Sequence, residues 1–132
     1  MSETTGEAPP RALVLGHGGF APGLISAVDQ ITGRGWMLVG LSNTGMTPEE
    51  VQAEVKRHCE AGVRVVFTDL TGGSATMCAR RVTAGLQGML IVSGVNLPAL
   101  LEFVLSSDDD PVARAERAAQ RGRETITVHG QG

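Results

Sequence analysis

Short apolar runs of strand length alternate with helix-period segments along almost the whole chain, and glycine marks most of the junctions. RALVLG (11–16), WMLVGL (36–41), VRVVFTD (63–69) and MLIVSG (89–94) are the four candidate strands. Between the first two, Leu24, Ala27, Val28 and Ile31 recur at i, i+3, i+4 and i+7, the helical period, and Gly33 is a stop. Thr47-Pro48-Glu49-Glu50 reads as a helix start, with threonine as N-cap, proline in the first turn and acids beside the positive dipole end. Further helices are expected over GGSATMCARRVTAG, over Leu97 to Leu105, and over Pro111 to Arg123. Strand and helix in strict alternation predict an α/β fold. The sheet is open and doubly wound, with four parallel strands covered on both faces. The strands look apolar on both faces, as burial between two helical layers requires.

The chain has 132 residues, enough for one domain. Residues 1–10 read as a disordered, acidic and polar N-terminal extension with no secretory pattern, and 11–132 as a single domain. Hydrophobic residues make up 42% and charged residues 19%, which favours a packed core. A net charge of −3, three Phe, one Trp and no Tyr give neither a basic surface nor a stacking platform, so no nucleic acid is expected as partner. Cys59 and Cys78 form no CxxC pair and no disulfide framework; they read as small buried apolar groups in a reducing, cytoplasmic setting. No apolar stretch approaches the length of a membrane span.

In open sheets of this kind, ligands bind beyond the carboxyl ends of the strands, near a topological switch point. Four glycine-bearing loops fall there: GHGGFAPG, SNTGM, DLTGGS and SGVNLP. His17 and Asp69 are the titratable groups directly at these strand ends. A carboxylate that accepts Nδ1–H fixes the tautomer of an imidazole and leaves the Nε2 lone pair free. The glycines allow close backbone approach, helices begin after both loops, and Ser74 adds a hydroxyl. The set reads as a cradle for an anion with a histidine at its centre, and a phosphoryl group on His17 fits it. Taken alone, His17 in a glycine-rich turn is equally well read as a structural hydrogen bonder.

Other motifs fit less well. After Gly16 and Gly18 the dinucleotide pattern would place its third glycine at Ala21, and the second strand ends in Ser42 and Asn43 with no acid for a ribose. Gly72-Gly73-Ser74-Ala75-Thr76 lacks the last glycine of a hydrolase elbow. Three scattered histidines supply no zinc site, so neither metal nor cofactor is expected. His58 is placed on a helix face and His129 in the tail. Asp108, Asp109 and Asp110 read as a solvated loop that caps the last helix.

Three segments, in order, carry a resemblance to a known family: GHGGFAPGL, VVFTDLTGGSATMCARRV and IVSGVNLPALLEFVLSSDDDP. Together they resemble the mannose-family enzyme IIA component of the bacterial phosphoenolpyruvate-dependent sugar phosphotransferase system, over roughly residues 11 to 129. The resemblance implies phosphotransfer through a phosphohistidine on His17, with Asp69 orienting the ring and Gly72, Gly73 and Ser74 holding the phosphoryl oxygens. It implies HPr as donor, a separate IIB component as acceptor, and only indirect contact with the membrane IIC/IID pair. It also implies a homodimer in which a C-terminal antiparallel strand is exchanged, a part suited to TITV (125–128). Ala75 departs from the proline that many members carry. A regulatory or anion-binding module of the same fold, without sugar transport, stays open as the alternative.

Overall fold

The computed structural model describes residues 12–132; the expected extension over residues 1–10, and Arg11 of the expected first strand, lie outside the described residues. Four strands, β1 (Ala12–Gly16), β2 (Leu38–Ser42), β3 (Val65–Thr68) and β4 (Leu90–Ser93), form one parallel sheet in the order β2-β1-β3-β4. Ala12 pairs with Leu38 on one side and Val65 on the other, and Val65 pairs with Leu90. Five helices connect and follow them: α1 (Phe20–Thr32), α2 (Pro48–Glu60), α3 (Ser74–Thr83), α4 (Leu97–Leu105) and α5 (Pro111–Glu124).

The period of two in β1 and β3 builds two cores. Ala12, Val14, Val65 and Phe67 face α1, α4 and α5, whereas Leu13, Leu15 and Val66 face α2 and α3. Each fully buried Val, Leu or Phe among them adds about 1.5–3 kcal/mol. Phe67 meets Phe103 edge to face at 5.1 Å. The guanidinium of buried Arg114 lies over the Phe103 ring at 4.8 Å and donates to the Phe103 carbonyl.

Helix starts match their local sequence. Thr47 and Glu50 form a reciprocal capping box at α2, and Asn96 and Asp110 cap α4 and α5 with their side chains. Gly33 closes α1 in the left-handed region, at φ 72°.

The second strand begins later than the apolar run suggests. Asp29 Oδ1 accepts the Gly35 N–H at 3.0 Å, and Gly35–Met37 curls into a 3-10 turn that leaves Trp36 exposed. The two edge strands are only partly buried, unlike β1 and β3. Ile31 is exposed rather than part of the α1 core face. Residues 125–128 form no strand within this chain, and Ile126 and Val128 are 75% and 98% exposed.

Candidate functional site

The chain leaves β1 toward one neighbour and later places β3 on the other side, so the switch point falls between β1 and β3. His17 follows β1 and Asp69 follows β3, which brings the two together although they are 52 residues apart. Asp69 Oδ2 accepts two hydrogen bonds from the same residue: the His17 backbone N–H at 2.9 Å and ring Nδ1 at 2.7 Å. The side chain of Asp69 is 9% exposed and that of His17 51%. The carboxylate is therefore a fixed, buried acceptor, and the ring it holds is half exposed, with Nε2 not engaged by the carboxylate.

Burial pushes the Asp69 carboxyl up. Hydrogen bonds from the His17 ring and backbone, together with the ring charge, pull it down further and leave it below its ordinary value of 3.8. Asp69 Oδ1 is buried and has no hydrogen-bond partner among the described residues. The loop that carries Asp69 is braced from inside. The Thr76 hydroxyl lies 2.7 Å from Thr68 Oγ1 and also reaches the Leu70 carbonyl, to which the Thr68 hydroxyl donates.

Two glycines before α1 have distinct reasons to be glycine. A Cβ on Gly16 would stand 2.7 Å from Phe20 Cδ2 and 3.1 Å from the Asp69 carboxyl carbon, so the Phe20 ring and the carboxylate would both have to shift. Gly18 turns the chain at φ 52°, a region that favours glycine. Gly72 and Gly73 differ from that pattern. Neither has a positive φ; Gly73 sits at φ −94°, ψ 175°, an ordinary extended conformation. A Cβ there would stand 3.3 Å from Leu70 Cδ1 and at ordinary contact distance, 3.6 Å, from His17 Cε1, so only atoms beyond a Cβ would crowd the ring.

Ser74 is the first residue of α3, and its Oγ lies 3.5 Å from His17 Nε2. The N-caps divide the helices into two groups. Gly73 and Gly19 cap α3 and α1 without any side-chain bond, whereas α2, α4 and α5 are all capped by side chains. The two uncapped helix starts are those beside His17, and among the described residues the amides of Gly72, Gly73 and Ser74 have no protein acceptor. Free N–H groups at a helix start, with the dipole behind them, suit an anion.

The five residues singled out in the sequence, His17, Asp69, Gly72, Gly73 and Ser74, thus fall in two adjoining loops and the helix start that follows the second. The loop after β2 adds residues that the sequence did not single out. Asn43 Nδ2 donates to Ser74 Oγ at 3.2 Å, and Thr44 Oγ1 accepts the Gly18 N–H at 3.1 Å. Their only signal was membership of the strand-end rim. His58 lies on α2, with its pKa lowered by burial and then by Arg57, and His129 lies in the tail; neither belongs to the site. No group of three or more His, Cys, Asp or Glu among the described residues could hold a metal ion.

Fold and site together define a class: a four-stranded, flavodoxin-like α/β protein with a carboxylate-held histidine at its switch point and two open helix N-termini beside it. A family model described as "PTS system fructose IIA component" matches residues 12–119, and the chain belongs to that family. The mannose-specific EIIAB component of the phosphotransferase system of Escherichia coli K12 is 28% identical over 123 residues. That match covers 87% of this chain and 38% of the relative, so the chain spans well under half of that protein. A phosphotransferase system component EIIA from Streptococcus agalactiae superimposes with a TM-score of 0.81 at 25% identity, covering 89% of this chain and 95% of that one. A mannose/sorbose specific IIA subunit from Enterococcus faecalis shares the fold at TM-score 0.80 and 22% identity, over 95% of this chain and 98% of that one. No helix among the described residues is long and apolar enough to cross a membrane.

Proposed function

We propose that this protein is a phosphoryl carrier in sugar uptake, which accepts a phosphoryl group from HPr on Nε2 of His17 and passes it to a IIB component. One observation carries the reading. Nδ1 of His17 is held by a nine-tenths buried carboxylate, and the ring, half exposed and with Nε2 turned to no acid, stands beside two helix N-termini with no side-chain cap. Family membership supports the phosphotransfer role.

The chemistry balances on these groups. The Nε2 lone pair forms the new N–P bond, while the N–P bond of the donor breaks and its electron pair returns to the donor ring. His17 keeps its Nδ1 proton, so the phosphorylated ring is cationic and Asp69 Oδ2 balances the charge. The Gly72 and Gly73 amides and the Ser74 hydroxyl receive the phosphoryl oxygens. GHGGF, SNTGMT, DLTGGS and GVN contain no Lys or Arg. The oxygens therefore meet dipoles rather than a bidentate cationic clamp, which suits a group that must leave again.

In this reading residues 11–132 act as one IIA-type domain, and the membrane IIC/IID pair is met only through IIB. The protein works as a homodimer in which residues 125–128 add an antiparallel strand to β4 of the second copy. Support comes from the exposure of Ile126 and Val128 and from the groove between the β4 edge and α5, lined by Leu90, Val92, Val112 and Ala115.

The test is incubation with phosphoenolpyruvate, enzyme I and HPr, followed by mass spectrometry. An acid-labile, base-stable phosphoryl group on His17 is expected, and none on His17→Ala. Labelling of His17→Ala to the wild-type level would refute the role of His17. A phosphorylated protein that no IIB component can discharge would instead be a regulatory module of the same fold.

A further inference from the structure

The loop after β2, residues 43–47, carries no titratable side chain, yet it holds both the turn that carries the histidine and the serine beside the ring. Thr44 Oγ1 accepts the Gly18 N–H at 3.1 Å and the Ser42 hydroxyl at 3.0 Å, which ties the turn after β1 to the loop after β2. Asn43 is anchored through its backbone. Its N–H donates to the Gly16 carbonyl at 3.0 Å, and its own carbonyl accepts from the Met46 N–H at 3.1 Å. From that fixed base its side chain spans to α3 and donates to Ser74 Oγ at 3.2 Å.

A hydroxyl has one proton and two lone pairs. With an Asn43 N–H on one lone pair, the Ser74 proton is left for His17 Nε2 at 3.5 Å. That ring nitrogen has a lone pair to accept it, because Nδ1 holds the proton shared with Asp69. We propose that Asn43 is a positioning residue, which acts through Ser74 by aiming its hydroxyl proton at Nε2 and hence at the oxygens of a phosphoryl group carried there. The proposal rests on His17 being the phosphoryl acceptor. A neutral amide does this without placing a second negative charge at the site. An aspartate at 43 would take the Ser74 proton for itself and repel the incoming group.

The experiment is a double-mutant cycle over Asn43→Ala and Ser74→Ala, read both by transfer rate from phosphorylated HPr and by nitrogen-15 NMR of the unphosphorylated histidine. Asn43→Ala should slow transfer about two- to tenfold, the worth of one hydrogen bond, and should slow it no further once Ser74 is alanine. The His17 Nε2 resonance should move toward that of a free lone pair in both single variants, with the Nδ1 resonance and the unfolding midpoint unchanged. Asn43→Asp should transfer more slowly than Asn43→Ala. Additive losses in the double variant, or an unmoved Nε2 resonance in Asn43→Ala, would overturn the proposal. Because the NMR arm needs no phosphate, it judges the Asn43–Ser74–His17 chain even if wild-type His17 proves not to be phosphorylated.

Discussion

Replacing Asp69 by asparagine separates the charge of this carboxylate from its geometry. Both His17 donors converge on Oδ2, at 2.9 Å from the backbone N–H and 2.7 Å from Nδ1. The backbone N–H can only donate, so an asparagine must put its carbonyl oxygen in the Oδ2 position and its amide nitrogen where Oδ1 now lies. That place is buried and offers no partner, but Oδ1 is already unpartnered there. The stability loss is thus expected near the low end of the usual 1–3 kcal/mol for an unsatisfied buried polar group. The ring keeps its tautomer. With the phosphoryl group on His17 as proposed, what disappears is the charge assistance to the phosphorylated, cationic imidazole. A charged hydrogen bond contributes about 1.5–3 kcal/mol and a neutral one about 0.5–1.5. The difference, about 1–1.5 kcal/mol for the Nδ1 bond, corresponds to roughly a tenfold slower transfer onto His17. Rapid-quench measurement of transfer from phosphorylated HPr reads this directly, with NMR to verify the tautomer. An unchanged rate would show that the charge plays no part. A loss of a thousandfold with an inverted tautomer would show that the amide had flipped, against the argument from the His17 N–H.

Gly73→Val should fold, since the backbone at 73 is extended, yet accept phosphate poorly, because its Cβ starts 3.6 Å from the His17 ring and its methyl groups extend further; wild-type transfer kinetics would contradict this. Acid unfolding of wild type against Asp69→Asn tests the carboxylate through its pH dependence. A carboxyl held below 3.8 in the folded state stabilises the fold above its unfolded value and loses that contribution as pH falls through the folded one. Wild type should therefore lose ground to the variant only below about pH 4, and parallel curves down to acid unfolding would contradict the shift. Deleting residues 125–132 should yield monomers in sedimentation, since the paired strand would bury Ile126 and Val128 at about 1.5–3 kcal/mol each; a truncated protein that still dimerises would remove the strand exchange.

The parallel α/β fold was legible because β1 and β3 are buried on both faces, so their apolar runs are continuous, and because Thr47-Pro48 and Asp110-Pro111 announce helices by local hydrogen bonding. The start of β2 was not. Trp36 and Met37 read like strand residues, but a contact six residues back, between Asp29 and the Gly35 N–H, coils them into a turn. His17 and Asp69 stood out because each ends a strand of a parallel sheet, where helix starts gather. Asn43 did not, because a neutral amide carries no chemical signal of its own. Its contact with Ser74 exists only because the strand order sets the β2 loop beside the β1 loop and within reach of α3. The glycines of DLTGGS were legible as an open approach to the ring, while their ordinary backbone angles became visible only in the structure.

With Nδ1 committed to Asp69, the phosphoryl group is expected to ride on Nε2 of His17. Phosphorus-31 and nitrogen-15 NMR of histidine-labelled protein, phosphorylated by way of HPr, locates the N–P bond. One phosphorylated histidine, His17, is expected, coupled to phosphorus through Nε2 with Nδ1 still protonated. Coupling through Nδ1, or a signal on His58 or His129, would contradict it.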